Sequence, residues 1–384
     1  IKALEMEYVK PECRSAEKGG RVTLKDIARE ANVSHTVVFH ILSSKAEKLR
    51  VSPATQKRVM DIARRLNYRP SFAGRGLVSR KTLQIGLFTP FGNFNAMPRI
   101  LSSVQEVCTQ HDYAILHFSY AGGEAEKQCI DRCLYRDVDG IIAVPYFENP
   151  DRNNIDLYRQ LRDQGIPLVE VCGNYITDVP AARPDGRKGC RLSLEHLYEL
   201  GHREAALFTH HRYHAFAGGY AHPDAEEQYK CCVDICERLG MRFEVVTHQL
   251  PDRSEKELPY FAERFYASAE RAALEWLSRS HRPKAVVCYN EFQALAMVNA
   301  AHQAGIRVPE QLSVISFDSL DISGYSSPPL TAIRQNFDQL GREAAKRLFD
   351  RMDDGTSAIC EVLIPPELIV RKRTTPFPKE PGDS

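Results

Sequence analysis

The chain has 384 residues, with 51 Lys and Arg against 50 Asp and Glu, and 43% of its residues are hydrophobic. This length predicts two or three domains, and a mean hydropathy of −0.38 is typical of a water-soluble protein with a sizeable core. No apolar run approaches the length of a membrane span and no signal-peptide pattern is found, which argues against membrane-embedded and secreted classes and predicts a cytoplasmic protein. The 11 cysteines are scattered along the chain, so we expect reduced thiols rather than a disulfide framework.

Residues 22–42, with the sequence VTLKDIAREANVSHTVVFHIL, predict two short helices joined by a tight turn. Thr23 is expected to cap the first helix and Ser34 the second, because short hydroxyl side chains satisfy the free amide groups at a helix start. Two such short helices bury too little apolar surface alone, and a third amphipathic helix is predicted over 51–68. The pattern therefore predicts a helix-turn-helix headpiece at 22–68, whose second helix enters the major groove of DNA.

The outer face of the second predicted helix is polar and aromatic. A solvated face of a plain helical bundle is the alternative interpretation, and the distribution of charge argues against it. Residues 21–82 hold 14 Lys and Arg against 4 Asp and Glu, whereas the rest of the chain holds 37 against 46. A cationic unit in an otherwise acidic chain is the electrostatic signature of a protein that binds phosphate backbones. The candidate DNA-binding residues of this unit are Thr23, Ser34, His35, Thr36, Phe39, His40 and Ser43.

These residues, with VSPATQKRVMDIARRLNYRP after them, resemble the headpiece of the lactose-repressor (LacI) family of bacterial transcription regulators. The resemblance continues through SLEHLYELGHREAALF, GIRVPEQLSVISFD, PPLTAIRQ and LIPPELIVRKR, and covers about residues 22–373. It implies a repressor that binds a palindromic operator as a homodimer, under allosteric control by a small molecule. The family usually has Ser-Arg where this chain has Phe39 and His40, so we expect its operator sequence to differ.

Residues 69–82 link the headpiece to the core, and in the family this segment forms a short hinge helix on the operator. The resemblance implies that Leu77 then wedges into the minor groove at the centre of the site. This chain departs from the pattern with Gly74 and Gly76, and each glycine costs about 1 kcal/mol in a helix interior. We therefore expect a hinge that is largely disordered without DNA, and a basic flexible linker is the alternative.

From residue 83 onward, apolar strands alternate with amphipathic helices, which predicts parallel sheets covered by helices on both faces. Strands are predicted at 83–89, 113–118, 138–145, 166–172, 204–209, 243–248, 284–289 and 312–317, and helices near 98–111, 123–136, 154–164, 187–200, 225–239, 263–279, 291–304 and 337–353. So many strands exceed one comfortable sheet and favour an α/β core of two doubly wound lobes.

The resemblance implies that this core is like periplasmic sugar-binding proteins, with a ligand cleft between the lobes. Lobe one is predicted at 83–177 plus 320–347, and lobe two at 180–317 plus 351–370. The remaining segments are a flexible leader at 1–21 and a tail at 371–384.

Ligands of doubly wound folds bind at the carboxyl ends of strands, and three residues there are candidate effector contacts. Asn95 follows the first strand, in a stretch that lacks part of the family's aromatic segment. Gln228 occupies a position where the family often has an arginine, and Glu291 replaces the aspartate of an Asn-Asp pair. We expect a neutral sugar or polyol, since Gln228 offers no cation. Alternatively, Gln228 and Glu291 only cap helices or form surface pairs.

Other kinds of site find less support in the sequence. His210, His211, His214 and His222 lie near Cys231, Cys232 and Cys236, but their spacing matches no zinc template. No phosphate-binding loop and no set of nucleophile, base and orienting residue is recognisable. We therefore expect no metal, no cofactor and no catalysis, with DNA, a small molecule and a second copy of the chain as partners. A solute-binding sensor without an operator is the alternative function, and a sugar-acting enzyme is a third.

Overall fold

The structure is a computed structural model. It describes residues 22–42, 51–68, 81–90, 96–134, 138–149, 152–176, 178–210, 223–249, 261–318, 324, 329–354, 359–372 and 374. The chain divides into two compact units, Ile1–Lys81 and Thr82–Ser384. The predicted leader, Ser43, Asn95 and the greater part of the predicted hinge, including Leu77, lie outside the described residues.

The described residues of the first unit form three helices, α1 (Leu24–Ala31), α2 (His35–Leu42) and α3 (Pro53–Arg65), which confirms the helices predicted from the sequence. The turn between α1 and α2 reverses at Asn32, whose φ of 50° lies in the left-handed region that asparagine tolerates. Ser34 begins α2 by accepting a hydrogen bond from the Val37 amide at 3.3 Å. These are the local features that a helix-turn-helix requires.

The three helices share one apolar core. Its buried members are Ile27, Ala28, Ala31, Val38, Ile41, Val59, Ile62 and Ala63. Each helix contributes residues spaced by three or four positions, so one face of each is buried and the other is left to solvent. A core this small depends on all three helices, because two short helices alone could not offset their loss of chain entropy.

The second unit alternates strands and helices. In chain order its elements are β1 (Gln84–Pro90), α4 (Ala96–Gln110), β2 (Ala114–Tyr120), α5 (Gly123–Leu134), β3 (Gly140–Ala143), β4 (Phe147–Asn149), β5 (Arg152–Asn153), α6 (Ile155–Asp163), β6 (Leu168–Val171), β7 (Ala181–Pro184), α7 (Gly186–Glu199), β8 (Glu204–His210), α8 (Pro223–Leu239), β9 (Arg242–His248), α9 (Phe261–Leu277), β10 (Ala285–Cys288), α10 (Glu291–Gln303), β11 (Ser313–Ser316), β12 (Thr331–Arg334), α11 (Phe337–Asp354), β13 (Glu361–Ile364) and β14 (Glu367–Ile369).

Twelve of these strands form two six-stranded sheets, and β4 with β5 forms a small hairpin. The first sheet has the order β13-β7-β6-β3-β1-β2 and is parallel throughout. The second has the order β14-β12-β11-β10-β8-β9, and only its edge strand β14 is antiparallel. Helices cover both faces of each sheet, as the alternation of strands and helices predicted.

Alternate residues of each strand enter different cores, because successive side chains of a strand point to opposite faces. In the first lobe, α4 and α11 bury one face of the sheet. The helices α5 and α6 bury the other face. In the second lobe, α9 and α10 cover one face and α7 and α8 the other. Each lobe is therefore a three-layered α/β unit.

The lobe boundaries predicted from the sequence need correction. Ala181–Pro184, expected in lobe two, pairs with β6 and β13 in the first sheet. Thr331–Arg334, expected in lobe one, pairs with β11 in the second sheet. Residues 351–354 and 361–364 belong to the first lobe rather than the second. The sequences of these three strands, AARP, TAIR and EVLI, do not lie in longer apolar runs, so they carry no recognisable strand signal.

Candidate DNA-binding face and effector site

The outer face of α2 carries four of the predicted DNA contacts. His35 and Thr36 are exposed, while Phe39 and His40 are half-buried, with ring centroids 5.6 Å apart in an edge contact. His40 Nδ1 is shielded and has no hydrogen-bond partner among the described residues. This face combines two imidazoles, a hydroxyl and a ring, so it can offer both hydrogen bonds and an apolar contact to base edges.

The hydroxyl groups of Thr23 and Ser34 act within the headpiece itself. The Asp26 carboxylate accepts from the Thr23 amide at 2.9 Å and from its hydroxyl at 2.6 Å. These hydrogen bonds lower the pKa of Asp26. The Ser34 hydroxyl caps α2, as the sequence predicted, whereas at the N-cap of α1 the Asp26 carboxylate reaches back to Thr23. A phosphate contact through Thr23 would have to share its hydroxyl with Asp26.

The cations of the headpiece differ in their availability. Arg29, Arg64 and Arg65 pair with the three described carboxylates of this unit, Asp26, Asp61 and Glu30. Within the described part of the headpiece, Lys25, Lys57 and Arg58 have no such ion pair and are exposed. Much of the positive charge counted over residues 21–82 falls in segments outside the described residues.

In the second unit, Gln228 lies on α8 and is 7% exposed. Its Nε2 has no hydrogen-bond partner among the described residues. The same holds for Thr209 Oγ1 at the carboxyl end of β8, which is 2% exposed. A buried polar atom without a partner costs about 1–3 kcal/mol, which a ligand that supplies the missing hydrogen bond can recover.

Glu291 is the first residue of α10 and is 1% exposed. Its negative charge partly opposes the lowering of the Arg371 pKa, for which burial is the main cause. The preceding residue, Asn290, caps the helix by accepting from the Gln293 amide at 3.0 Å. Gln228 and Glu291 belong to helices on opposite faces of the second sheet, so a shared ligand would have to bridge its carboxyl edge.

The structure adds a pair that the sequence analysis did not single out, Asp318 and Gln335. Each follows the carboxyl end of a strand, β11 and β12 respectively, and Gln335 Nε2 donates to Asp318 Oδ1 at 2.6 Å. Burial raises the pKa of Asp318 to about 7, although the hydrogen bond from Gln335 opposes this shift. The sequence signal that could have identified Asp318 is its position, a carboxylate close after the carboxyl end of a buried strand.

A second addition is His248, at the carboxyl end of β9. Its Nδ1 lies 3.1 Å from the Gln249 carbonyl oxygen, which requires a proton on that nitrogen. In the neutral ring Nε2 is then an acceptor, so the Gln293 amide donates to it at 2.8 Å. Gln293 Oε1 is left without a partner among the described residues. Like Thr209 and Gln228, it is a neutral polar group.

Two absences hold for the described part of the chain. It contains no group of three or more His, Cys, Asp or Glu side chains placed to hold a metal ion. His211, His214 and His222 lie outside it. None of its helices combines the length and apolar character needed to cross a bilayer.

Comparisons with known proteins agree with this architecture. A family model for bacterial regulatory proteins of the lacI family matches residues 23–71. A model for periplasmic binding proteins and the sugar-binding domain of the LacI family matches 88–221, and one for a periplasmic binding protein-like domain matches 194–374. The HTH-type transcriptional repressor PurR of Aliivibrio fischeri (strain ES114) is 30% identical over 362 residues, which cover 91% of this chain and 97% of that protein. The chain belongs to the LacI family.

Solved structures of LacI-family regulators share the fold. The lac repressor dimer bound to operator and the anti-inducer ONPF has a TM-score of 0.75 over 93% of this chain and 100% of that one, at 23% identity. The complex of the transcriptional regulator CelR with cellobiose has a TM-score of 0.62 at 21% identity, over 92% of this chain and all of the other. These relatives are transcription regulators rather than enzymes.

Proposed function

We propose that this LacI-family protein is a repressor that binds a palindromic operator as a homodimer and releases or grips it in response to a neutral sugar or polyol. Support for the DNA half comes from the outer face of α2, where His35 and Thr36 are exposed beside Phe39 and His40. Helices of this kind read base edges in the major groove, and the two copies in a dimer read two half-sites. The lac repressor relative is described as a dimer on its operator.

The choice of effector class rests on one observation: among the described residues near the carboxyl edge of the second sheet, three neutral side chains carry a buried atom without a hydrogen-bond partner, and the buried carboxylate there, Glu291, is acidic rather than cationic. The three neutral atoms are Thr209 Oγ1, Gln228 Nε2 and Gln293 Oε1. Arg183 and Arg187 are not available to an anionic ligand, because both hydrogen-bond Glu227. Amides and hydroxyls pair well with the hydroxyl groups of a sugar. The CelR relative is described in complex with cellobiose.

Selection of bound duplexes from a random pool tests the operator, and release of the selected duplex by a panel of sugars and polyols tests the effector. We expect a palindromic consensus and release or tightening by a small subset of neutral carbohydrates. If the protein prefers no duplex over competitor DNA at moderate salt, operator binding is excluded and a solute-binding sensor is the remaining function. A selected duplex that responds only to anionic ligands would contradict the effector class alone.

Gln228→Leu tests the site directly. We expect this variant to bind the selected operator normally and to need at least about tenfold more effector, because losing one buried hydrogen bond to a ligand costs about 1.4 kcal/mol or more. Lys230→Gln is the matched control, since Lys230 is exposed on the same helix and pairs with Glu226. An unchanged effector response in Gln228→Leu would remove Gln228 from the site.

A further inference from the structure

Three cysteines meet where α7 packs on α8. Cys190 of α7 is completely buried, Cys232 of α8 is buried, and Cys231 of α8 is partly exposed. Cys190 Sγ lies 3.7 Å from the carbonyl oxygen of Gln228 on α8, and Cys231 Sγ lies 3.8 Å from that of Arg187 on α7. A solvent-accessible sulfur and a buried one therefore lie in the same contact between the two helices.

The surroundings make the two thiols unequal. The hydrogen bond from Cys190 and the charge of Arg187 lower the pKa of Cys231, although burial and the charges of Asp234 and Glu227 oppose this. The pKa of Cys190 is raised well above its ordinary value, first by its hydrogen bonds with Cys231 and Cys232 and then by burial. The thiolate is the reactive form of cysteine, so Cys231 is the nucleophile of the pair.

Cys108, Cys236 and Cys129 lack this environment. Burial raises the pKa of Cys108 and of Cys236 to about 12. Cys129 is partly exposed like Cys231, but burial is the main cause that raises its pKa. Arg132 acts in the opposite direction but does not outweigh burial and the charge of Glu126, so Cys129 is a suitable internal reference for an accessible thiol whose pKa is not lowered.

We propose that Cys231 and Cys190 form a peroxide-sensitive thiol pair that closes a disulfide between α7 and α8. The Cys231 thiolate attacks one oxygen of hydrogen peroxide and breaks the O–O bond, which gives a sulfenic acid and hydroxide. Cys190 loses its proton to that hydroxide, forming water, and its sulfur attacks the Cys231 sulfur. The departing hydroxide takes a proton from solvent to form a second water. The two thiols lose two electrons in total, and peroxide gains them.

The disulfide would connect to the candidate effector site. A disulfide has an S–S distance of about 2.05 Å and fixes the separation of the two cysteines, so it would clamp α8 to α7 at this point. Gln228 lies one helical turn before Cys231 and Cys232, and its carbonyl oxygen contacts Cys190. An altered effector response after oxidation rests on the proposed function, whereas the formation of the disulfide does not.

The decisive experiment maps disulfides in the fully reduced, full-length protein after exposure to hydrogen peroxide. We expect non-reducing peptide mass spectrometry to show a Cys190–Cys231 linkage, and iodoacetamide to alkylate Cys231 at least about tenfold faster than Cys129 before oxidation. In Cys190→Ser, dimedone should trap a sulfenic acid at Cys231, because the resolving thiol is missing. Cys129→Ser is the control and should leave the linkage unchanged.

Three results would overturn this proposal. One is that the two peptides stay unlinked at a peroxide concentration that oxidises Cys129. Another is that Cys231 links to Cys232 instead. The third is that Cys190→Ser yields no more dimedone adduct at Cys231 than Cys231→Ser yields at Cys190. Each readout is chemical, so it stands whether or not operator binding is found.

Discussion

Asp318 is a buried carboxyl group whose ionisation is set by its surroundings. It lies at the carboxyl end of β11, and burial raises its pKa to about 7 while Gln335 donates to it. Because this value exceeds the ordinary 3.8, the stability that protonated Asp318 contributes is complete below about pH 4 and is lost as the pH rises through 7. Near neutrality this carboxyl group can act as a donor or an acceptor.

We expect Asp318→Asn to be more stable than the wild type by up to about 4 kcal/mol at pH 8 and by less than about 2 kcal/mol at pH 5. The amide stays neutral and can still accept from Gln335, so it escapes the cost of ionising a buried group. Denaturant unfolding at both pH values measures the difference. Asp112→Asn, in an exposed turn with a φ of 62°, is the control for losing one carboxylate. An equal offset at both pH values would contradict the assignment.

A second pair of substitutions separates base reading from backbone binding. We expect His40→Ala to change the preferred operator sequence, because His40 lies on the outer face of α2. Lys25→Ala should instead weaken binding to all duplexes by a similar factor, since Lys25 is an unpaired surface cation among the described residues. It should also reduce the slope of log affinity against log salt concentration by about one. Binding to a panel of operator variants at several salt concentrations distinguishes them. A sequence-independent loss in His40→Ala would exclude it as a base reader.

Sequence reasoning found some site residues and missed others for a physical reason. The caps Thr23 and Ser34 are local features, so spacing along the chain reveals them. Gln228 and Glu291 were selected by resemblance, and their roles stay predictions. Asp318 and Gln335 are 17 residues apart and meet only because β11 and β12 are neighbours in the sheet. No local pattern encodes such a pair.

Helices and long strands were predictable because their hydrophobic periods extend over several residues. Every strand predicted from the sequence is present, and the amphipathic helices are present as well. The strands β7, β12 and β13 were not predicted, because AARP, TAIR and EVLI do not lie in the longer apolar runs that marked other four-residue strands such as β3 and β10. β13 is an edge strand, and β7 and β12 each lie next to an edge strand, so their positions depend on pairing with neighbours distant in sequence.

The packing of α11 on α4 depends on a glycine. An added Cβ at Gly341 would come 2.7 Å from the Ile100 carbonyl oxygen and would also overlap the Ser103 hydroxyl. The two helices are in close contact here, and the Ile100 carbonyl oxygen belongs to the backbone, so no side-chain rotation can move it away. Any side chain at this position must push the helices apart.

We therefore expect Gly341→Ala to destabilise the core by about 1–3 kcal/mol. Gly186→Ala is the matched control, because Gly186 is also helical and has no atom within 4 Å of an added Cβ. That substitution should be neutral or stabilising by up to about 1 kcal/mol. Urea unfolding of both variants measures the contrast, and equal effects would show that α4 and α11 can separate without cost.

An ion pair between side chains links the two lobes, in addition to the chain segments that connect them. Arg183, at the end of β7 in the first sheet, donates to Glu227 of α8 at 2.9 Å and also pairs with Glu361 of β13. Burial acts to raise the pKa of Glu227, but hydrogen bonds and charges from Arg187 and Arg183 lower it. The contact between Arg183 and Glu227 is therefore a favourable pair that crosses from one lobe to the other.

A double-mutant cycle with Arg183→Gln and Glu227→Gln should give a coupling free energy of about 1–2 kcal/mol, because both side chains are largely shielded. Acid should weaken this contribution, since it is present above the ordinary carboxyl pKa and is lost as the pH falls through the lowered value. Unfolding midpoints at pH 7 and pH 4 measure both effects. Strictly additive single effects at pH 7 would show that the pair does not couple the lobes.

The chain passes between the sheets three times, after β7, after β12 and after β13. The first sheet thus begins at Gln84 and receives its last strand only at Glu361–Ile364. During synthesis on a ribosome, neither sheet can be finished until residues 361–369 have emerged, although most strands of both are already made. Termination after β12 but before residue 361 leaves both sheets without an edge strand, so such truncated products are expected to aggregate rather than to form one functional lobe.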